Sequence, residues 1–226
     1  MDDVKDYLKK LIKQDDVVVI GCSGGPDSIC LFDILKNLQK EIDFSLICAH
    51  VNHNVRKESK NEQIFMEKYC LKNKIPFETM TITKYSDDNF ENEARTIRYK
   101  YFDDLMKKYN GTYLMTAHHG DDLMETILMR ISRGSSFKGY AGFEINSKVN
   151  DYNLVRPLIF VTKDDIDNYN KISIDALINN NYITPGSEGL EVDIDKSYNK
   201  MKKLGKYNES VEILEKAIKF PDACST

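Results

Sequence analysis

The sequence predicts an α/β fold with a doubly wound, mostly parallel sheet and helices on both faces of that sheet. Two observations lead to this prediction. Strand-like and helix-like segments alternate through the first 170 residues, and a glycine-rich turn at residues 21–28 joins a β-branched run to a segment of helical spacing. In such sheets ligands bind beyond the carboxyl ends of the strands, so the loops that follow the strands are the candidate site.

The predicted elements follow one another as repeated β–α units. A charged, amphipathic surface helix is expected within residues 1–13. The predicted strands are 17–20, 44–51, 77–83 and 112–117, and the helices that follow them are 28–38, 57–72, 89–108 and 121–132. The apolar side of the helix at 57–72 is expected to include Ile64, Phe65, Tyr69 and Leu71. Asn89 is expected to cap the helix that it begins.

Composition excludes several classes of protein. The chain has 226 residues, which suits one domain with or without an appendage, and its 41% hydrophobic residues suffice for a packed core. No apolar run approaches the ~20 residues that span a bilayer, and the charged N-terminus is unlike a signal peptide. We therefore expect no membrane partner and a cytoplasmic location. The five cysteines form no C-x-x-C pair, which argues against a zinc ribbon, an iron–sulfur cluster or a disulfide framework.

The turn at residues 21–28, which we call the glycine loop, reads Gly-Cys-Ser-Gly-Gly-Pro-Asp-Ser. Free backbone N–H groups and the positive end of the helix dipole meet at the start of the following helix, where they can hold an anion. Gly24 and Gly25 permit backbone angles that other residues adopt only at a cost, and they let a phosphate approach the main chain. Ser23 and Ser28 add hydroxyl donors.

Pro26 and Asp27 refine this prediction. Pro26 fits the first turn of a helix, because its missing N–H is not needed there. A carboxylate at Asp27 would repel a bare phosphate, which indicates a bridging Mg²⁺ held by Asp27. The glycine loop is not a Walker A loop, because the lysine of that motif is absent, and it is not G-x-G-x-x-G. An ordinary glycine turn between a strand and a helix is the structural alternative.

All four histidines of the chain lie at the ends of two predicted strands. His50 and His53 belong to the end of the second strand, and His118 and His119 follow the fourth. A hydrogen-bonded histidine within a strand explains His50 as well as a direct role does.

Acidic residues follow the second histidine pair. Asp121, Asp122 and Glu125 are residue types that ligate metals, as are the two histidines, although the H-E-x-x-H spacing of zinc proteases is missing. The acids are alternatively first-turn residues favoured by the helix dipole. Asp122 and Glu125 are three residues apart and share a helix face. We favour contacts to Mg²⁺-bound phosphate and substrate, since the glycine loop should face the same crevice.

Several blocks, taken in order, resemble one family. Residues 23–28 are similar to the PP-loop of the N-type ATP pyrophosphatases, which cleave ATP to AMP and pyrophosphate. Residues 50–56 resemble H-V-N-H-G-L-R, with Asn54 where glycine is usual. Residues 93–99 are similar to E-A-A-R-x-x-R-Y. Residues 117–125 are similar to A-H-H-x-D-D-Q-x-E-T, and residues 130–134 to the R-G that follows it. The last block is the R-P-L at 156–158. The family with all these blocks is tRNA(Ile)-lysidine synthetase, over about residues 15–165.

This resemblance implies ATP and Mg²⁺ as cofactors, with a CAU-anticodon tRNA isoleucine and free lysine as partners. The C2 oxygen of the first anticodon cytidine would attack the α-phosphate of ATP and release pyrophosphate. The lysine amine would then displace AMP and leave lysidine. The ATP-binding residues implied are Ser23, Gly24, Gly25, Pro26, Asp27, Ser28 and His50, with Asp27 also the metal ligand.

The resemblance also implies a set of catalytic or substrate residues. They are His53, Arg95, His118, His119, Asp122, Glu125 and Arg133. Arg95 is the first candidate to stabilise phosphate charge, and Arg133 is the second. Asp122 and Glu125 would hold the lysine ammonium or a second Mg²⁺, and His118 or His119 would take a proton. The alternative for Arg95 and for Arg98, three residues on, is pairing with acidic neighbours such as Glu91 and Asp103 on a solvated helix face.

The resemblance ends near Ile166. We therefore divide the chain into a catalytic domain at residues 1–170 and a divergent, partly helical segment at 171–226. Residues 201–218 have a helical pattern that resembles half of a tetratricopeptide repeat, and such repeats need neighbours to bury their apolar faces.

Three functions stay open at this point. The first is a ligase that forms the carbon–nitrogen bond of lysidine, the second is another PP-loop ATP pyrophosphatase acting on tRNA, and the third is an inactive nucleotide-binding module. The missing C-x-x-C pairs count against thiolation, and the intact Asp27, Asp122 and Glu125 count against an inactive module. The net charge of −4 gives no overall attraction for RNA, so a tRNA partner requires a local basic patch.

Overall fold

The computed structural model describes residues 1–55, 59–85, 90–132 and 142–179. The chain divides into two compact units, Met1–Ile166 and Asp167–Thr226. The described strands are β1 Val17–Gly21, β2 Ser45–Asn52, β3 Phe77–Thr81, β4 Tyr113–Thr116, β5 Asn146–Val149 and β6 Tyr152–Val155. The described helices are α1 Asp2–Leu11, α2 Pro26–Leu38, α3 Ser59–Lys72, α4 Phe90–Tyr109, α5 Gly120–Ser132 and α6 Lys163–Asn179, with a short 3₁₀ helix at Pro157–Phe160.

The strands form one sheet in the order β3-β2-β1-β4-β6-β5. All neighbouring strands run parallel except β5, which is antiparallel to β6. The predicted α/β fold with a mostly parallel, doubly wound sheet is thereby confirmed. The chain builds outward from β1 to β2 and β3, and then returns to the other side of β1 to place β4. The topological switch point, where ligands bind in such sheets, is therefore the gap between the carboxyl ends of β1 and β4.

Both faces of the central strand are buried. Side chains alternate along β1, so Val19 points to one face while Val18 and Ile20 point to the other, and all three have no exposed surface. Val19 belongs to an apolar cluster with Phe102 and Leu105 of α4. Burial on both faces explains why β1 reads as a continuous apolar run and not as an alternating one.

The sequence did not predict the hairpin of β5 and β6. Its register joins Val149 to Tyr152, so the connection is the two-residue turn Asn150-Asp151, and Asn150 has a positive φ of 49°. Each strand has four residues, and β5 is largely polar. Such short strands carry too little periodicity to be recognised without the neighbouring strand.

Other predicted elements need smaller corrections. Leu71 was expected on the apolar side of the helix at 57–72, but its side chain is 77% exposed. Met66 and Cys70 are buried there instead, beside the correctly predicted Phe65. The third strand ends at Thr81 instead of residue 83. Residues 57–58 and the predicted cap Asn89 lie outside the described residues.

Little of the predicted divergent segment is described. Helix α6 runs through the predicted domain boundary at residue 170, and that boundary stays a prediction. The helical pattern at 201–218 lies outside the described residues. Among the helices that the structure describes, none combines the length and the apolar character needed to cross a bilayer.

Candidate functional site

Two cavities open at the carboxyl edge of the sheet. The first, of about 190 Å³, lies at the switch point, and its polar lining includes Ser23, Asp27, Ser28, His53, Arg98, His118 and Asp122. The second, of about 480 Å³, is lined mainly by the ends of β2 and α4, with His50, Asn52, His53, Phe90, Arg95 and Arg98 among its residues. Ser23, His53 and Arg98 line both cavities. The two cavities are therefore neighbours within one crevice.

The glycine loop is held in shape by the buried hydroxyl of Ser28. This hydroxyl donates to the carbonyl oxygen of Gly25 at 2.8 Å and accepts the N–H of Gly24 at 3.1 Å. Gly24 has φ of +87°, which a side chain would strain. Gly25 has φ of −74°, which any residue adopts, so the expectation of special backbone angles is wrong for Gly25. Pro26 begins α2, as predicted.

Asp27 lies at the start of α2 and forms an ion pair with Lys163. The backbone N–H of Lys163 in turn donates to Oδ2 of Asp121 at 2.8 Å. Sequence reasoning missed Lys163, because 136 residues separate it from Asp27 and no local spacing connects them. A basic residue soon after the R-P-L block was the only available signal.

His50 fixes the strand end from which the glycine loop begins. Its Nδ1 donates to the carbonyl oxygen of Cys22 at 2.9 Å, and the ring is 2% exposed. Burial lowers the pKa of His50, so the imidazole is neutral near pH 7. Its Nε2 is buried and has no hydrogen-bond partner among the described residues.

The loop after β2 is built from side chain–backbone contacts. Nδ1 of His53 lies 2.9 Å from the hydroxyl of Tyr85, and that hydroxyl donates to the His53 carbonyl oxygen at 3.2 Å. Asn52 accepts the N–H of Asn54 at 2.8 Å, and Asn54 has φ of +52°. Asparagine tolerates this left-handed conformation, which explains how it can replace the glycine usual in the resembling motif.

His118 follows β4 and is half-buried. Its Nδ1 is 2.9 Å from the Thr116 hydroxyl oxygen. Burial lowers the pKa of His118 to about 4, the Asp122 carboxylate opposes the shift, and three arginines including Arg98 add to it. His118 is therefore neutral at physiological pH.

Asp122 has a structural contact as well as a place in the first cavity. Its Oδ2 accepts the backbone N–H of His119 at 2.9 Å, which satisfies a free donor at the start of α5. His119 is 8% exposed, and its Nδ1 has no hydrogen-bond partner among the described residues. Asp122 thus caps the start of α5 and also lines the cavity in which the predicted contacts to phosphate and substrate would lie.

The basic side chains of α4 differ in their burial. The guanidinium groups of Arg95 and Arg98 lie 5.2 Å and 5.7 Å from the ring centre of Tyr99. Arg95 is exposed and lines only the second cavity, whereas Arg98 is half-buried and lines both. Burial lowers the pKa of Arg98 slightly below the usual range for arginine. The sequence favoured Arg95, whereas the geometry favours Arg98.

Of the predicted site residues that the structure describes, five line neither cavity: Gly24, Gly25, Pro26, His119 and Glu125. Glu125 is exposed on α5 and lines neither of the two cavities described above. Arg133 lies outside the described residues. The later Arg156 is buried, and its Nη1 donates to the Glu144 carbonyl oxygen at 2.7 Å, which anchors the strand pair β5–β6.

The oxygen ligands in the first cavity fit a magnesium ion shared with a substrate. Asp27 and Asp122 both line this cavity. Among the described residues, no group of three or more His, Cys, Asp or Glu side chains is arranged to hold a metal ion. Mg²⁺ is typically held by one or two carboxylates together with substrate phosphates, so two carboxylates suffice.

Known proteins are similar to about three quarters of this chain. A tRNA(Ile)-lysidine synthase of Geobacillus kaustophilus is 36% identical over 177 residues, which cover 75% of this chain and 38% of that protein. The tRNA(Ile)-lysidine synthase of Bacillus cereus is 38% identical over 180 residues, covering 76% and 38%. The chain thus spans less than half the length of these relatives.

A solved structure and a family model complete the comparison. The U34-tRNA thiolase NcsA from Methanococcus maripaludis superposes with a TM-score of 0.65 at 17% identity, covering 97% of this chain and 78% of that one, which shows a shared fold. A model of the PP-loop domain matches residues 2–175, and this match supports ATP binding. The chain belongs to the PP-loop domain family.

Proposed function

We propose that this chain binds ATP with its pyrophosphate on the glycine loop and uses it to make lysidine in a CAU-anticodon tRNA isoleucine. The observation that carries the proposal is the meeting of Ser23, Asp27, Arg98, His118 and Asp122 around one cavity at the switch point. The relatives named tRNA(Ile)-lysidine synthase support the choice of reaction. Because the chain spans 38% of their length, the activity and its tRNA and lysine substrates belong to the proposal.

The reaction proceeds in two displacements. The C2 oxygen of the first anticodon cytidine attacks the α-phosphorus of ATP, and the bond to the pyrophosphate oxygen breaks. The amine of lysine then attacks C2 of the adenylated cytidine, and the bond to the AMP oxygen breaks. The amine must lose protons during this second step, so a nearby base assists it.

The charge that develops on pyrophosphate is met by residues of the crevice. Arg98 is suited to this role, because the dielectric constant around a half-buried guanidinium is lower than around an exposed one, so its attraction for phosphate charge is stronger. Arg95 adds a second positive charge at the rim of the neighbouring cavity. Mg²⁺, when bound by Asp27 with help from Asp122, would neutralise further phosphate charge.

The two histidines after β4 suit different tasks. A pKa of about 4 makes His118 a weak base at neutral pH, so we assign it hydrogen bonding to the substrate in its neutral form. His119 stays the candidate for the proton, because its buried Nδ1 makes no hydrogen bond among the described residues and lies 3.8 Å from Oδ2 of Asp121. It lines neither cavity, so it would reach the proton only if the start of α5 shifts when substrate binds. Asp122 and Glu125 are the candidates for the lysine ammonium, and Glu125 would reach it only if the substrate extends along α5.

One assay tests the proposal. The purified chain receives ATP, Mg²⁺, lysine and CAU-anticodon tRNA isoleucine, and both AMP release and lysidine are followed. AMP release that requires lysine and this tRNA supports the proposal. AMP release that requires tRNA but not lysine points to another PP-loop reaction on tRNA. ATP binding without any turnover points to a nucleotide-binding module, and the absence of ATP binding contradicts every version of the proposal.

A further inference from the structure

The glycine loop contacts a lysine from a distant part of the chain. Residues 21–28 contain no lysine or arginine, although a nucleotide triphosphate brings several negative charges to such a loop. Lys163 supplies a cation there, because its ammonium contacts the carboxylate of Asp27. The side chains of Lys163 and Asp27 are 30% and 28% exposed, so the pair is partly shielded from water.

The backbone of Lys163 is held firmly while its side chain extends to the loop. Lys163 is the first residue of α6, and its N–H donates to Asp121 at 2.8 Å. Thr162 and Asp165, which lie on either side of Lys163 in the sequence, form reciprocal hydrogen bonds. The Thr162 N–H donates to Asp165 at 2.9 Å, and the Asp165 N–H donates to the Thr162 hydroxyl at 3.2 Å. The N–H groups of Thr162, Lys163 and Asp165 therefore have partners within the protein, and the lysine ammonium is a donor that can also meet an anion.

We propose that Lys163 is a phosphate-binding residue of the glycine loop, whose ammonium bridges Asp27 and a phosphate oxygen of the bound nucleotide. The inference rests on the proposed ATP binding at this loop. Asp27 lines the first cavity, so a group bonded to Asp27 lies within a few ångströms of a ligand there. A lysine ammonium has three N–H donors on a flexible stem, so it can keep the carboxylate and add a phosphate.

The competing explanation is an ion pair that only ties α6 to α2. The chain offers a matched control for it, because Lys36 pairs with Asp33 further along α2 at 2.7 Å, with side chains 24% and 17% exposed. Lys36 and Asp33 line neither of the two cavities. Lys163 itself lines neither cavity, but its partner Asp27 lines the first one. The two ion pairs therefore share their residue types and their degree of burial but differ in whether the carboxylate lines the cavity.

Calorimetric titration of the full chain with ATP, inorganic pyrophosphate and adenosine, in buffer with EDTA, tests this role. Lys163→Gln should weaken ATP and pyrophosphate binding by about ten- to a hundredfold, the range of a charge-assisted hydrogen bond, and should leave adenosine binding unchanged. Lys36→Gln should change the affinities by less than about twofold. Equal losses for adenosine and pyrophosphate, or no loss in Lys163→Gln, would overturn the inference.

A second variant covers the case in which Lys163→Gln fails to fold. Lys163→Arg keeps the charge and should bind pyrophosphate within about fivefold of the wild type. Pyrophosphate binding that is lost in Lys163→Arg, with the thermal midpoint unchanged, contradicts a role based on charge. Failure of the wild type to bind ATP at all is a different result, because it contradicts the proposed function and not only the role of Lys163.

Discussion

The close packing of Gly21 against Phe102 yields a prediction for the floor of the first cavity. Gly21 is both the last residue of β1 and the first of the glycine loop, and Phe102 belongs to α4. A Cβ at Gly21 would lie 2.8 Å from Cζ of the Phe102 ring, closer than real contacts allow, and 3.1 Å from Cε2, which is tighter than most real contacts. Phe102 is 4% exposed, and the rings of Tyr99 and Tyr101 lie about 6 Å away, so the ring has little room to move.

The magnitude follows from these contacts. Overpacking by one methyl group in a filled core costs about 1–3 kcal/mol, so Gly21→Ala should lower the free energy of unfolding by that amount. Phe102→Leu removes the clashing ring atoms at a cost of about 1–2 kcal/mol for the lost packing. In the double variant the clash is absent, so the loss should be close to that of Phe102→Leu alone. The coupling energy between the two sites is then about 1–3 kcal/mol.

Urea unfolding of the four proteins in this cycle measures the coupling. ATP affinity gives a second measure, because Gly21 and Phe102 both line the first cavity. Gly21→Ala should weaken ATP binding, and the added Phe102→Leu should restore most of it. If the losses of the single variants add up in the double variant within about 0.5 kcal/mol, the contact is not limiting and the reasoning is wrong.

Three further predictions concern the ionisable residues of the crevice. Asp27→Ala should abolish Mg²⁺-dependent ATP turnover while the thermal midpoint changes little, because a partly exposed ion pair contributes at most about 1 kcal/mol. Asp122→Asn should keep the stability of the wild type, since the amide oxygen still accepts the His119 N–H, whereas Asp122→Ala should lose about 1 kcal/mol in urea unfolding. The pKa of His118 is lowered from 6.5 to about 4 in the folded chain. Between these two pH values the unfolded chain binds a proton at His118 and the folded chain does not, so the free energy of unfolding falls as the pH drops from 6.5 to about 4. His118→Asn should flatten this fall by up to about 3 kcal/mol between pH 7 and pH 4, and an unchanged slope would contradict the low pKa.

Sequence patterns predicted the parts of the fold that rest on continuous burial. The strands β1, β2 and β4 could be located because each is a short apolar run buried on both faces. The hairpin of β5 and β6 could not, because these strands are defined by their hydrogen bonds to each other and to β4 and not by a local sequence pattern. The glycine loop was recognisable because its residue types suit one local conformation. Even there, the sequence did not show that the positive φ occurs at Gly24 and not at Gly25. That difference depends on the hydrogen bond between the Gly24 N–H and the Ser28 hydroxyl.

The candidate site could be predicted where strand ends bring loops together. The carboxyl ends of β1 and β4 are neighbours, so Asp27, His118 and Asp122 were expected in one crevice, and all three line the first cavity. The rotation of α4 about its axis depends on how it packs on the sheet, so the sequence could not predict that Arg98 lines both cavities and Arg95 only the second. Lys163 escaped prediction because its partner is set by the position at which α6 begins.

The acidic residues at the start of α5 show that capping a helix and forming a site are compatible tasks. Asp122 uses Oδ2 to accept the His119 N–H and still lines the first cavity, so one carboxylate serves both. Asp121 accepts the backbone N–H of Lys163, whose ammonium reaches Asp27. The first turn of α5, the start of α6 and the glycine loop are thus connected by carboxylates. Asp121 and Asp122 each accept a backbone N–H, and Asp122 also lines the first cavity, so we expect helix capping and ligand binding to be compatible in one residue.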